Sequence, residues 1–277
     1  MASRLDLVAI AAALLLAVFL AALLVARQDR LVFFPDRFAR ADPAQFGLSA
    51  EAISPKTADG LILDGWRIRG GGRAALVYFH GNAGNIGDRL ERARLLVEEL
   101  RLDVFLVDYR GYGRSQGSPG EEGLYADGLA MYDAAAARGF PPDRTVLFGE
   151  SLGCAVALET ALRRGCAGVI LEAPFLSMEA MRRRYYPWIP GFFLRLHFDN
   201  GAKIPRVSAP KLIAQAERDE IVPPQQTRRL FELAAPPKTY FVISGASHND
   251  TYLAGGRRYI EAWKRFLDEA LRPAGSP

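Results

Sequence analysis

The chain has 277 residues, half of them apolar and 24% charged, with a formal net charge of +4 and a pI near 9.1. Its arginines are dispersed and basic residues interleave with aromatics in one stretch alone, which argues against nucleic acid as a partner. Two cysteines, Cys154 and Cys166, cannot make a disulfide framework and read as buried free thiols, and no Cys/His spacing suggests a metal site.

Leu5 to Ala26 is apolar except for Asp6 and, as a helix, would be about 33 Å long, enough to cross a bilayer core. A secretory signal peptide is the rival reading. Its apolar core is shorter and ends in a small-x-small cleavage site, which Leu24-Val25-Ala26 matches poorly, so an uncleaved anchor over residues 1–27 is expected. Arg27, Arg30, Arg37 and Arg40 lie downstream against Arg4 upstream, so the positive-inside rule leans towards a cytoplasmic domain, and the side of the membrane stays open. Residues 28–49 read as a juxtamembrane connector in which Leu31 to Pro35 is a docking segment.

From residue 50 onward short apolar runs alternate with helical patterns. Expected strands are Ala50–Ser54, Leu61–Ile68, Ala75–Phe79, Asp103–Val107, Val146–Phe148, Gly168–Leu171, Lys211–Ala216 and Tyr240–Ile243. Expected helices are Ile86–Leu100, with a stripe at Leu90, Ala93, Val97 and Leu100, then Gly123–Arg138, the segment after Gly153, Gln225–Leu233 and Thr251–Leu271. This alternation implies an α/β fold, a mainly parallel eight-stranded sheet flanked by helices. Phe175 to Val207 breaks it with arginine, aromatic and proline residues of no clear period, too long for an ordinary connection, and reads as an inserted lid.

The chemistry centres on Gly149-Glu150-Ser151-Leu152-Gly153, which joins a buried strand to an Ala/Leu-rich helix. This is the strand, G-x-S-x-G turn, helix pattern of a nucleophile elbow, with small flanks to relieve a strained serine. Gly113-Arg114-Ser115-Gln116-Gly117 fits the same pattern, but Gly117-Ser118-Pro119-Gly120 cannot propagate a helix, so Ser115 reads as a loop serine.

A serine nucleophile needs a base and an acid that orients it. Of the three histidines, His248 follows the last strand and comes after the serine, whereas His197 lies in the lid and His80 beside the loop after the third strand. Between Ser151 and His248, the stretch Glu217-Arg218-Asp219-Glu220-Ile221-Val222-Pro223 follows a strand, and Asp219 is its candidate acid. The oxyanion donors are the N–H of Leu152 and one from His80-Gly81-Asn82-Ala83-Gly84-Asn85, with Asn82 the candidate.

Taken together, HGNAGN, DYRGYGRSQGSP, GESLG, EAPF, ERDEIVPP and SHND make the chain from about Leu61 to Leu271 resemble the α/β-hydrolase superfamily. Within it the combination is similar to a membrane-anchored serine hydrolase subgroup that includes the eukaryotic protein depalmitoylases. That resemblance implies a Ser151, Asp219, His248 triad and no cofactor. Asp108-Tyr109-Arg110-Gly111-Tyr112-Gly113 reads as packing behind the site rather than as catalytic residues. The chain departs from the subgroup in lacking an N-terminal cysteine cluster and in its lid sequence.

The expected activity is hydrolysis of a carboxylic ester or thioester through an acyl-enzyme, in a protein localised to the membrane. The alternatives are a serine peptidase on the same fold and a non-catalytic, membrane-tethered binding module. The lid stretch from Arg182 to Leu194 joins three consecutive arginines to a dense aromatic cluster. Two readings are open: the aromatics pack over the core with the arginines facing solvent, or the stretch lies against the bilayer, with the arginines on lipid phosphates, Tyr186 and Trp188 at headgroup level, and Phe192 and Phe193 lining an acyl pocket.

Overall fold

Eight short runs of the sequence pair into one sheet because most of them are apolar enough to be buried on both faces. In the computed structural model, which describes residues 27–38, 41–272 and single residues between Arg4 and Val25, these are β1 (Ala50–Ile53), β2 (Gly65–Ile68), β3 (Ala75–Phe79) and β4 (Asp103–Val107). They continue as β5 (Thr145–Glu150), β6 (Gly168–Glu172), β7 (Lys211–Ala216) and β8 (Lys238–Ile243). Every residue of β3 to β7 is buried, as a parallel sheet covered on both sides requires. The strand order is β8-β7-β6-β5-β3-β4-β2-β1; the pairs from β8 to β4 are parallel, and β2 runs antiparallel to both of its neighbours.

Helices α1 (Leu90–Leu100), α2 (Glu121–Ala136), α3 (Gly153–Arg164), α4 (Met178–Tyr185), α5 (Pro224–Leu233) and α6 (Thr251–Ala270) complete the architecture. Two apolar clusters form, one on each face. Leu124, Met131, Val156 and Leu230 belong to the cluster under α2, α3 and α5, and Leu90, Leu96, Trp263 and Phe266 to the one under α1 and α6. Because β3 pairs directly with β5, the loop leaving β3 lies beside the turn leaving β5.

Several elements differ from the sequence expectation. The second strand starts at Gly65 rather than Leu61; Ile62 makes only an isolated bridge with Lys56, and the Asp64 N–H goes to Ser115 Oγ (2.9 Å) instead of a strand neighbour. The helix expected from Ile86 opens with a 3-10 turn, and its buried stripe runs through Arg92 and Leu96 rather than Val97. Cys154 is buried, but Cys166 is only half-buried. Within the expected lid, α4 forms although it buries none of its residues. The anchor expected over Leu5–Ala26 falls largely outside the described residues. Among the described residues no helix is long and apolar enough to cross a membrane.

Close packing at the β5–α3 turn sets a strict size limit. A Cβ on Gly153 would stand 2.0 Å from Phe79 O at the end of β3. Gly153→Ala is therefore expected to cost about 1–3 kcal/mol or more as an overpacked site, read as a lowered denaturation midpoint; an unchanged midpoint would show that β3 and α3 are not held this tightly.

Candidate active site

Three loops at the carboxyl ends of β3, β5 and β7, together with the loop after β8, converge on one point. Ser151, between β5 and α3, has φ 52°, a left-handed conformation that L-residues rarely adopt. Its N–H donates to Glu172 O at 2.9 Å and its carbonyl accepts from Cys154 N at 3.1 Å. A Cβ on Gly149 would lie 2.6 Å from backbone atoms of Gly153 and Cys154. Glycine is thus required on both sides of the serine, and the side chain is left projecting from the turn.

His248, after β8, brings Nε2 to 3.0 Å from Ser151 Oγ. On its far side Nδ1 lies 2.9 Å from both carboxylate oxygens of Asp219. Both side chains are almost wholly buried. Asp219 is fixed in turn by the N–H groups of Ile221 (3.0 Å) and Val222 (2.6 Å), which donate to its Oδ1. Glu220 takes a part that the sequence did not disclose: its Oε2 accepts the main-chain N–H of His248 at 3.1 Å and so steadies the histidine loop. Glu217 stays exposed and accepts from Gly245 N (2.6 Å) and Ser244 Oγ (2.9 Å).

The loop after β3 passes directly over the serine. A Cβ on Gly81 would be 3.8 Å from Ser151 Cβ. Asn82 follows, with its carbonyl accepting from Tyr112 Oη at 2.8 Å and from Phe34 N at 2.9 Å. Leu152 is buried at the start of α3. The Asp108–Gly113 stretch packs behind this loop: Tyr109 Oη donates to His80 O (3.0 Å) and Asp108 Oδ1 accepts from Ile86 N (2.9 Å). A Cβ on Gly113 would stand 2.0 Å from an Asp108 oxygen. Ser115 Oγ donates to Asp108 O at 2.7 Å, far from the histidine loop in its bonding, so the second G-x-S-x-G serine holds a loop together. His197 is exposed in the lid and donates its N–H to Glu121.

The family model described as serine aminopeptidase, S33 (Hydrolase_4) matches residues 71–198. Protein Rv2307c of Mycobacterium tuberculosis is 38% identical over 250 residues, covering 88% of each chain. The alpha/beta hydrolase domain-containing protein WAV2 of Arabidopsis thaliana is 32% identical over 279 residues, covering 90% of each. The chain belongs to the α/β-hydrolase family. Among solved structures, the Pyrococcus furiosus esterase Pf2001 shares the fold, with a TM-score of 0.71 at 18% identity over 86% of this chain and 97% of that one.

Beneath the elbow, this α/β hydrolase carries a buried charge cluster. Arg92 Nη1 pairs with Glu172 at 2.8 Å and with Glu150 at 3.5 Å, while Arg89 lies 3.4 Å from Glu150. Arg92 Nη2 donates to Thr251 Oγ1 (2.9 Å), Thr251 donates to Glu172, and Tyr259 Oη donates to Glu172 at 2.8 Å. The cluster joins the ends of β5 and β6 to the first residue of α6, three positions after His248. Burial by itself would raise the Glu150 carboxyl, but Arg92, Arg89 and the Tyr78 hydroxyl outweigh it and hold it down to about 2. His80, fully buried, is pushed down to about 3 by burial and then by Arg89, so it stays neutral while its Nδ1 meets Gly81 O at 2.8 Å.

Both shifts have the same sign of consequence. A group whose folded pKa is depressed stabilises the fold above its unfolded value and loses that contribution as pH falls through the folded one. Stability should therefore decline as pH drops below 6.5, the ordinary histidine value, and more steeply below 4.5, the ordinary glutamate value. Arg92→Leu leaves two carboxylates buried beside an apolar side chain and is expected to cost about 3–5 kcal/mol. Urea denaturation across the pH range checks both; a flat profile, or a loss in the variant below about 1 kcal/mol, would contradict them.

Proposed function

We propose that this α/β hydrolase is a serine hydrolase that cleaves carboxylic esters or thioesters through an acyl-enzyme. The observation that carries the reading is the continuous contact from Ser151 Oγ to His248 Nε2 (3.0 Å) and from His248 Nδ1 to Asp219 (2.9 Å), under the Gly81–Asn82 loop. Ser151 Oγ attacks the carbonyl carbon as its proton passes to His248 Nε2, and Asp219 holds the ring and stabilises the imidazolium. The negative oxygen of the tetrahedral intermediate is met by the N–H groups of Leu152 and Asn82, the first backed by the positive end of α3. Collapse expels the alcohol or thiol, which takes the proton from His248. Water then attacks the acyl-enzyme, His248 receives its proton, and the carboxylic acid leaves as Ser151 is restored.

Membrane lipid belongs to the same proposal, through the 1–27 anchor and the lid. Val8, Leu15, Leu16 and Phe19, described residues of the apolar run, are helical and exposed. In the lid, Trp188 is 74% and Phe192 81% exposed, which supports contact of this face with the bilayer. Arg182 and Arg183 each pair with Glu179 at 2.7 Å, so two of the three arginines expected on lipid phosphates have a protein partner. The description of the matching family model favours a second reading, cleavage of peptide amides by the same residues.

Ser151→Ala is expected to lower turnover of p-nitrophenyl esters by on the order of a million-fold without loss of folding, while Ser115→Ala acts only through stability. A panel of these esters against aminoacyl and peptide p-nitroanilides separates the two readings. Near-normal ester turnover by Ser151→Ala would overturn the serine assignment, and faster cleavage of the anilides would favour the peptidase.

A further inference from the structure

The connector before β1 does more than join an anchor to a domain. Its residues Phe34 and Pro35 pair in parallel with Ala83 and Gly84 of the loop after β3. Phe34 N donates to Asn82 O (2.9 Å), Asn82 Nδ2 donates to Val32 O (2.7 Å), and Asp36 N donates to Gly84 O (3.0 Å). Asn82, the residue assigned the second oxyanion N–H, is thus gripped by the connector through both its carbonyl and its side chain. The connector is also tied to the lid. Gln28 Nε2 donates to Phe193 O, Gln28 Oε1 accepts from Arg195 N at 2.9 Å, and Phe33 packs edge-on against Phe198 at 6.2 Å.

Between connector and lid lies a cavity of about 340 Å³. Leu31, Val32 and Phe34 form one wall, Met178, Met181 and Leu194 the other, and Asn82 is also part of the lining. Phe192 and Phe193, expected to line an acyl pocket, do not line this cavity: the 3-10 turn Gly191–Phe193 leaves Phe192 exposed, with its ring tilted against that of Phe193 at 4.3 Å. The volume lies at the small end of ligand pockets, roughly 300–1,000 Å³. Two methionines and five aliphatic side chains offer a surface that adapts to a flexible apolar guest.

Resting on the serine-hydrolase reading, we propose that the connector is part of the active site: it walls a slot that takes the acyl chain of the substrate, and its Phe34 N–H positions the oxyanion residue Asn82. The shared residue supplies the link, because a chain lying in the slot ends at the amide that would meet its own carbonyl oxygen. At about 30 Å³ for a group the size of a water molecule, with a methylene of similar size, the slot holds on the order of ten carbons. Leu31 and Met181 are then specificity residues, and Phe34 is a positioning residue.

Kinetics of the full chain in nanodiscs on p-nitrophenyl esters from acetyl to hexadecanoyl test both halves. Wild type should prefer medium chains to acetyl by about tenfold or more, and Met181→Trp, which fills the slot, should lose at least about tenfold more kcat/KM on decanoyl than on acetyl ester. Phe34→Ala keeps the N–H and Phe34→Pro removes it, so the proline variant should turn over acetyl ester about tenfold or more slowly than the alanine one, in kcat rather than KM. Equal losses on both esters in Met181→Trp overturn the slot and leave the hydrolase reading standing; equal kcat in the two Phe34 variants overturns the positioning role. Binding of radiolabelled decanoic acid to the Ser151→Ala chain repeats the slot comparison without turnover. About tenfold weaker binding after Met181→Trp supports the slot, and unchanged binding overturns it, whether or not any ester is cleaved.

Discussion

Ser151 holds a φ of 52° between a strand and a helix, and the cost of that conformation, of order 1–3 kcal/mol, has to be met by the packing around it. Gly149 and Gly153 make the turn possible by letting β5, α3 and the end of β3 approach within distances that a single Cβ would violate. The same approach brings Gly81 against the serine and leaves Leu152 at the head of α3. Ser151, the head of α3 and the loop after β3 are therefore placed by one steric constraint, and the sheet order, with β3 beside β5, is what allows it.

Around that turn His248 and Asp219 are held through main-chain groups. Arg218 N donates to Ala246 O at 2.8 Å, tying the acid loop to the histidine loop before any side chain is counted. Asp219 is oriented by two backbone N–H groups and His248 by the Glu220 carboxylate. Below them, Arg92 links Glu150, Glu172 and Thr251, so the strand ends and the start of α6 are tied together. A buried cluster of this kind adds little net stability compared with a well-packed apolar one, but breaking it is expensive. Its position under the site makes it a clamp on geometry.

Much of the fold was legible because buried parallel strands are short and apolar on both faces; the runs at Ala75–Phe79, Asp103–Val107 and Lys211–Ala216 match the sequence expectation in full. Ser151, Asp219 and His248 were legible from their places at strand ends, and the structure brings them within hydrogen-bond reach. Arg92 was not: in a helical pattern an arginine reads as solvent-facing, and its partners Glu172 and Thr251 are 80 and 159 residues away. Helix α4 was missed because Met178–Tyr185 carries three arginines and one glutamate and buries no residue, which leaves no apolar stripe to detect. The aromatic density of the lid was plain in the sequence, but direction was not, since a 3-10 turn decides which of Phe192 and Phe193 faces out. Leu31–Pro35 did read as a docking segment; what it docks onto depends on a parallel pair about fifty residues apart, which no local pattern encodes.

Ser151 is proposed as the activated nucleophile of this α/β hydrolase. The most direct measurement is peptide mass spectrometry of the full chain after reaction with a fluorophosphonate, compared with the His248→Ala chain. A single phosphonyl adduct on Ser151, formed far more slowly without the histidine, is expected. An adduct on Ser115, or a folded chain that takes up no label, would contradict the account.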